Sequence, residues 1–597
     1  MHDPELPSTA TPPGSQRPTQ ARHLVVLMLV AAAVVLYLDR FCVSFAERYI
    51  KQDLRLGDWQ MSAFLSAFFV AYALGQVPSG WLGDRFGGRS VLVLYIASWS
   101  LFTALIGAAE GAIMLIVMRL GCGLSQAGAY PVSASMLSRW VPFSRRALAS
   151  GLVALGGRVG AVLAPILTAY LMVLFVPASA PSELDANSIL DFTSLCTQLA
   201  KAEPNATGPA AASPERRIFS QLPPGAQRII VAATGPGAQA DPQSTELLTA
   251  AFNEILRRSD LFQTHEIERL PLEQEAIGLL RRRERGQSLS PAETVRFNRL
   301  VLEAIFPTQI SKLYVKGWRP VLLVYGAIGL AVALLYWSCV RDSPSLHPRC
   351  NAAERALIGG GRLTEPNASA TQETPDLTWE KSAAGAARGA PRLIGDLVAS
   401  RSLWLSSLSQ FTTNAAWLFF VTFLPRYLME MHQVPILERS WMVAIPPLAG
   451  IAGMFLGGHL TDRLTRRFGL RWGRALPMGL TRFAAAATYL ACLEIDSPWL
   501  ATIAFALGFF FVDLGVSSVW AYMQDVGGRN VGAVLGWGNM WGNFGAAAAP
   551  FLYEAVLGKN PTIQNWNVMF VVCAVMFVVS GLAGLGVDAT VKISRNS

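Results

Sequence analysis

From residue 22 onward, long apolar runs alternate with short polar breaks. A bilayer core takes about 20 apolar residues as helix. A window of roughly 19 residues picks out twelve such runs: 22–45, 58–80, 89–109, 112–135, 147–176, 319–341, 403–429, 440–460, 474–494, 498–523, 530–556 and 565–588. The pattern predicts an all-α polytopic membrane protein, with helices 1–5 in 22–176, helix 6 in 317–341 and helices 7–12 in 403–590. Two polar stretches break the rhythm. Residues 177–316 are too long for a simple loop and hold helix-like segments: "TELLTAAFNEILRRSDLF", "LEQEAIGLLRRRERG" and "SPAETVRFNRLVLEAIF". The last opens on Ser290-Pro-Ala-Glu293, a capping box with proline at the first helical position. Residues 342–402, with their Gly, Ala, Ser and Thr content, read as a flexible tether with some helix. Residues 1–21 read as a disordered tail and residues 591–597 as a short C-terminal one.

Composition agrees with this reading. The 597 residues are 52% hydrophobic and only 15% charged, against about 25% charged in soluble domains. The net charge of +9 fits Lys and Arg in cytoplasmic connections, and no nucleic-acid partner is expected. Basic residues cluster before the first run, after the second, fourth and eighth, and in 342–402. These connections share one side if the count is right. Both termini are then cytoplasmic and residues 177–316 lie outside, which suits a multi-pass protein of the bacterial inner membrane. The seven cysteines are scattered with no CxxC or His-Cys cluster, so no metal site, cofactor or disulfide framework is expected. No nucleophile–His–acid set is found in the insert, and no catalytic residue is assigned; the chain does not read as an enzyme.

An internal repeat divides the chain. "GWLGDRFGGR" begins at Gly80 and "GHLTDRLTRRFGLR" at Gly458, each closing the second helix of a six-helix half. Parallel halves of this kind are the arrangement of major facilitator transporters. Further stretches resemble the anion:cation symporter family of that superfamily, which includes hexuronate and galactonate permeases and the sialic acid and vesicular glutamate carriers. They are "YLDRFCVSFA" at 37–46, "FVAYALGQVPSGWLGDRFGGR" at 69–89, "RLGCGLSQAGAYP" at 119–131, "GWRPVLLVYGAIGL" at 317–330, "FLPRYL" at 423–428 and "GNMWGNFGAAAAP" at 538–550. The resemblance implies the twelve-helix major facilitator fold and secondary transport of small organic anions by alternating access, with sugar acids favoured and proton symport expected. An exchanger, a uniporter without proton coupling, or a non-transporting sensor that uses the insert are the alternatives. A monomer in the lipid bilayer is expected.

The charges buried in apolar runs are the candidate chemistry, because a charge at membrane depth is costly and functional by default. Arg40 has Tyr37 at i−3 and Ser44 at i+4, a polar stripe suited to a water-filled cavity; the bland reading is an arginine that snorkels to the interface. The resemblance makes Arg40 a contact for a substrate carboxylate and Arg119 a second cationic contact or a partner for an acid. The family usually has a glutamate, implicated in proton coupling, where Gln126 stands. Gln cannot titrate, so Asp39 and Asp513 become the candidate proton carriers. Arg158 reads as an extra anion contact or as a salt bridge to Asp513 or Asp39. Tyr72, Asn539 and Asn543 offer groups for sugar hydroxyls, or for bonds between helices. Gly80, Asp84, Arg85, Arg89, Asp462 and Arg463 form the loop signature. They are read as gating residues: Asp84 meets a helix N-terminus, and the arginines bridge to acids.

Overall fold

The structure, a computed structural model, describes residues 17–142, 146–177, 181–201, 213–234, 241–267, 270–359, 395–527, 531–558 and 561–593. It is helical throughout these segments, apart from turns and an isolated antiparallel bridge between Ile189 and Ile310. The first half comprises α1 (Ala21–Asp53), α2 (Asp58–Phe86), α3 (Gly88–Gly107), α4 (Ala112–Ala127) with its continuation α5 (Ala129–Trp140), and α6 (Arg146–Leu174). Among the described residues, seven α-helices form the insert: α7 (Phe192–Ala200), α8 (Pro214–Gln221), α9 (Pro224–Ala232), α10 (Pro242–Leu256), α11 (Thr264–Ile267), α12 (Gln274–Glu284) and α13 (Pro291–Ile305). The sixth span is α14 (Trp318–Cys339), followed by α15 (Ala352–Gly359) and α16 (395–399) in the link. The second half comprises α17 (Arg401–Leu418) and α18 (Leu424–Glu430), α19 (Ile436–Ala491), α20 (Pro498–Gly527), α21 (Val531–Leu557) and α22 (Ile563–Leu585). The end of the bundle that carries the insert is the insert end, and the opposite one is the loop end.

Helix α19 holds two predicted spans, joined at Gly469 where φ is +76°. The first half turns at Gly87, φ +88°. Both glycines follow a phenylalanine in the repeated motif, and only glycine takes that conformation without cost. α17 and α18 make one span, interrupted by a π-helical turn, Phe419–Phe423. Pro425 lies just after it and has no N–H for the carbonyl of Val421, so the ladder widens there.

Eight helical segments among the described residues are long and apolar enough to cross a membrane. One of them is α19 with its two arms; α2, α17–α18 and α21 complete the set. Of these, α2 packs against α21 of the other half. Ser66 and Ser62 of α2 donate to the carbonyls of Ala547 (2.6 Å) and Pro550 (3.2 Å) on α21, beside the proline that interrupts its ladder. α1 also extends further than predicted. It continues to Asp53, so the first polar loop shrinks to residues 54–57. Residues 17–20, expected in the disordered tail, are tied down: Asn351 Nδ2 donates to the Arg17 carbonyl and Asn351 N–H to the Thr19 hydroxyl. Residues 1–16 and 360–394 lie outside the described residues.

In the insert, the Ser290 hydroxyl accepts from Glu293 N–H and the Glu293 carboxylate from Ser290 N–H, the expected capping box. Buried Arg296 anchors the insert. It donates to the carbonyls of Val176 and Pro177 at the end of α6 and to Glu275 on α12. Glu273 accepts from the Ile436 N–H at the start of α19, 2.9 Å. The insert therefore touches both halves.

Candidate functional site

Arg40 lies mid-helix, 13 residues before Asp53 and so about 20 Å from the end of α1. Its guanidinium turns onto side chains of α2 and α4. Its Nε and Nη2 donate to the Gln126 side-chain oxygen at 3.4 and 3.3 Å. The guanidinium stands over the rings of Phe68 and Tyr72, each 4.8 Å away, and Tyr37 at 5.2 Å. Gln126 thus gives Arg40 one neutral acceptor where a glutamate would neutralise it. Buried Arg119 donates from Nη2 to the Arg40 carbonyl at 3.5 Å and stacks 4.6 Å from Phe68. It forms no ion pair with Asp39 or Asp513 within 4.0 Å; the acid partner that was one expectation for it is replaced by a backbone contact. Asp39 turns away from Arg40 and is 1% exposed, facing the Trp99 indole and Arg119 with neither oxygen in good hydrogen-bond geometry. Adjacent helix residues point about 100° apart, so this separation follows from the helix itself.

Arg158 and Asp513 meet across the two halves, Nη2 to Oδ1 at 2.8 Å, with Met454 Sδ 3.3 Å from Arg158 Nε. Arg158 is therefore committed to an ion pair, unlike Arg40. Arg482, not foreseen as part of the site, lies near Asp513 and donates to the Val512 carbonyl. Tyr72 belongs to the Arg40 cage. Asn543 donates to the Asn539 carbonyl at 2.7 Å, a bond within its own helix. Above Arg40 toward the insert end, Trp417 packs on Phe41 and Phe509. Below, a groove of about 580 Å³ between α1 and α6 runs from Arg22 and His23 to Val34 and Val159. It ends one helical turn from Tyr37.

Of the loop signature, Arg89, Asp462 and Arg463 have described side chains. The side chains of Gly80, Asp84 and Arg85 lie outside the described residues. Arg89 does not bridge to an acid with its guanidinium; it donates to the Trp337 carbonyl at 2.6 Å, at the C-terminal end of α14 where carbonyls are free. Asp342 meets a helix N-terminus. It accepts from the Arg89 N–H at the start of α3, 2.8 Å. Asp588 reaches Arg471 at 3.6 Å in the second half. Asp342 and Asp588 each stand three residues beyond the last span of their half, so the repeat includes an acid that sequence comparison of the two glycine motifs alone did not reveal. Asp462 and Arg463 are exposed; Arg474 instead pairs with Asp525 at 2.8 Å.

The family model described as Major Facilitator Superfamily matches residues 29–180 and 304–550. The segment between these matches lies within the insert. A probable galactarate/D-glucarate transporter of Bacillus subtilis is 23% identical over 97% of this chain and 94% of its own. A probable sulfoacetate transporter of Cupriavidus necator is 22% identical over 96% and 95%. A bacterial homologue of the human lysosomal transporter Spinster, solved in an inward-facing conformation, superposes with a TM-score of 0.57 at 17% identity, over 95% of this chain and 96% of that one. Two helical halves related by a repeated Asp-Arg loop and this match over most of the chain agree: the chain belongs to the Major Facilitator Superfamily.

Proposed function

We propose that the chain is a secondary transporter of small organic anions, with sugar acids favoured, working by alternating access. One observation carries the proposal. Arg40, caged by side chains of the first half and next in sequence to Phe41, which packs on Trp417 of the second half, has a neutral amide as its acceptor, so its charge is available to a carboxylate. Dicarboxylate and sulfonate names among relatives aligned over nearly the whole chain support the same class of cargo. Arg40 would hold the carboxylate, and Tyr72 would contribute a hydroxyl beside it. Arg119 would add positive potential behind them. Asn539 and Asn543 would meet the hydroxyls of a sugar acid through their remaining polar atoms. The arginines of the loop end support a cytoplasmic placement of that end and of both termini, with the insert outside. Proton coupling through Asp39 or Asp513 is one reading; Gln126 favours an exchanger or uniporter as the other.

The test is ligand-dependent thermal stability of the purified protein. A ligand bound to the folded state stabilises it by RT ln(1 + [L]/Kd). Glucarate, galactarate, galactonate or a hexuronate should raise the melting temperature where neutral sugars do not, and Arg40→Ala should erase the effect. Stabilisation by neutral sugars and by none of the acids would refute the anion assignment.

A further inference from the structure

At the insert end a second set of charges joins the halves. Arg426 on α18 is 2% exposed and reaches Glu430 at 2.9 Å and Glu554 of α21 at 2.5 Å. From α1, Arg48 meets Glu430 at 3.4 Å. Lys51 meets Asp58 of α2 at 2.6 Å and Glu554 at 3.8 Å. Glu47 completes the cluster, with Arg426, Lys51, Glu554 and Arg48 as its charged neighbours. The three cations are thus shared among Asp58, Glu430 and Glu554. Glu47 is 3% exposed, has no ion pair within 4.0 Å among the described residues, and its Oε1 has no hydrogen-bond partner.

We propose that Glu47 is a proton site that loads when the insert end closes. The reading rests on alternating access. Four carboxylates and three cations (−4 + 3 = −1) are brought together by closure, and a lone ionised carboxylate in a buried site is costly. Binding one proton from water at the insert end makes the cluster neutral. Opening separates α1 and α2 from α18 and α21, breaks Arg48–Glu430 and Lys51–Glu554, and wets Glu47, which then releases the proton. The closed state holds the extra proton, so it gains as pH falls. Glu47 stands seven residues beyond Arg40 on α1, two helical turns along one face. The site is therefore separate from the position that Gln126 vacates.

The experiment is a distance measurement by pulsed electron resonance on the full chain in lipid nanodiscs. Nitroxides go on Ile113→Cys and Leu500→Cys, exposed positions at the insert end of opposite halves, in a Cys339→Ser background. The closed-to-open ratio should fall as pH rises from 5 to 8, by up to about tenfold per pH unit for one proton. Glu47→Gln should stay closed across that range with no slope. Arg426→Ala, which removes the central cation, should open the end and shows that the labels report the motion. An unchanged slope in Glu47→Gln overturns the proposal. So does a wild-type ratio indifferent to pH while Arg426→Ala still opens, and that result leaves alternating access standing. A single distance under every condition, Arg426→Ala included, would overturn alternating access as well.

Discussion

At the residue scale, the function turns on how much of Arg40's charge is already spent. One amide oxygen, shared by two donors, leaves most of it available. Charge-assisted hydrogen bonds contribute about 1.5–3 kcal/mol, so Arg40→Ala should weaken anion binding roughly ten- to a hundredfold in a tryptophan-fluorescence titration. An affinity within twofold of wild type would remove Arg40 from the site. Gln126→Glu makes a sharper prediction. It places a carboxylate against Arg40, which should lower anion affinity at neutral pH and make it recover as pH falls and the new acid protonates. A dissociation constant that keeps the wild-type pH profile would show that residue 126 does not govern Arg40. Both charges of "YLDRF" were legible in the sequence because each interrupts an apolar run. Their different surroundings were not, since Trp99, Phe68 and Gln126 are brought to them by other helices.

At the element scale, the apolar spans were legible to within several residues, including α2, whose Ser62 and Ser66 bond to α21. A helix that packs on another half can carry serines that lipid would not tolerate. The helices of the insert were half legible: α10, α12 and α13 follow their periodicity and caps, whereas α7, α8 and α9 are too short to impose a pattern. The contact of the insert with α19 was beyond sequence, because Glu273 lies 163 residues from its partner Ile436. Burial pushes the Glu273 carboxyl above its ordinary range, against the opposing pull of Lys312 and Arg439. The sign follows directly. A raised folded-state value means the folded state holds the proton more tightly, so the stability of this contact is full below the unfolded value and declines as pH rises through the raised one. Hydrogen exchange at the start of α19, corrected for intrinsic rates, should therefore show protection falling with pH. Glu273→Gln keeps an acceptor for the Ile436 N–H and should flatten the profile. Identical slopes in both proteins would mean the insert is held elsewhere.

At the scale of the whole molecule, the hydrogen bonds and ion pairs between the halves described above lie level with Arg158–Asp513 or toward the insert end, and the groove between α1 and α6 lies toward the loop end. The repeat was legible in its Asp-Arg loops and incomplete there, because Asp342 and Asp588 sit in connections with no motif around them. Arg158–Asp513 spans the halves at their closest charged contact, and removing one partner of such a buried pair costs about 3–5 kcal/mol. Arg158→Ala should lower thermal stability markedly, and the double variant with Asp513→Ala should recover part of the loss; a loss in the double variant equal to the sum of the two single losses would show that the pair is not coupled. The central claim, that an anion crosses between these halves, is tested most directly by uptake into proteoliposomes. With labelled glucarate, galactarate, galactonate and hexuronates, with and without an imposed pH gradient, the account predicts saturable uptake or counterflow of at least one sugar acid, lost in Arg40→Ala. Absence of uptake and counterflow for every anion of the panel would contradict it.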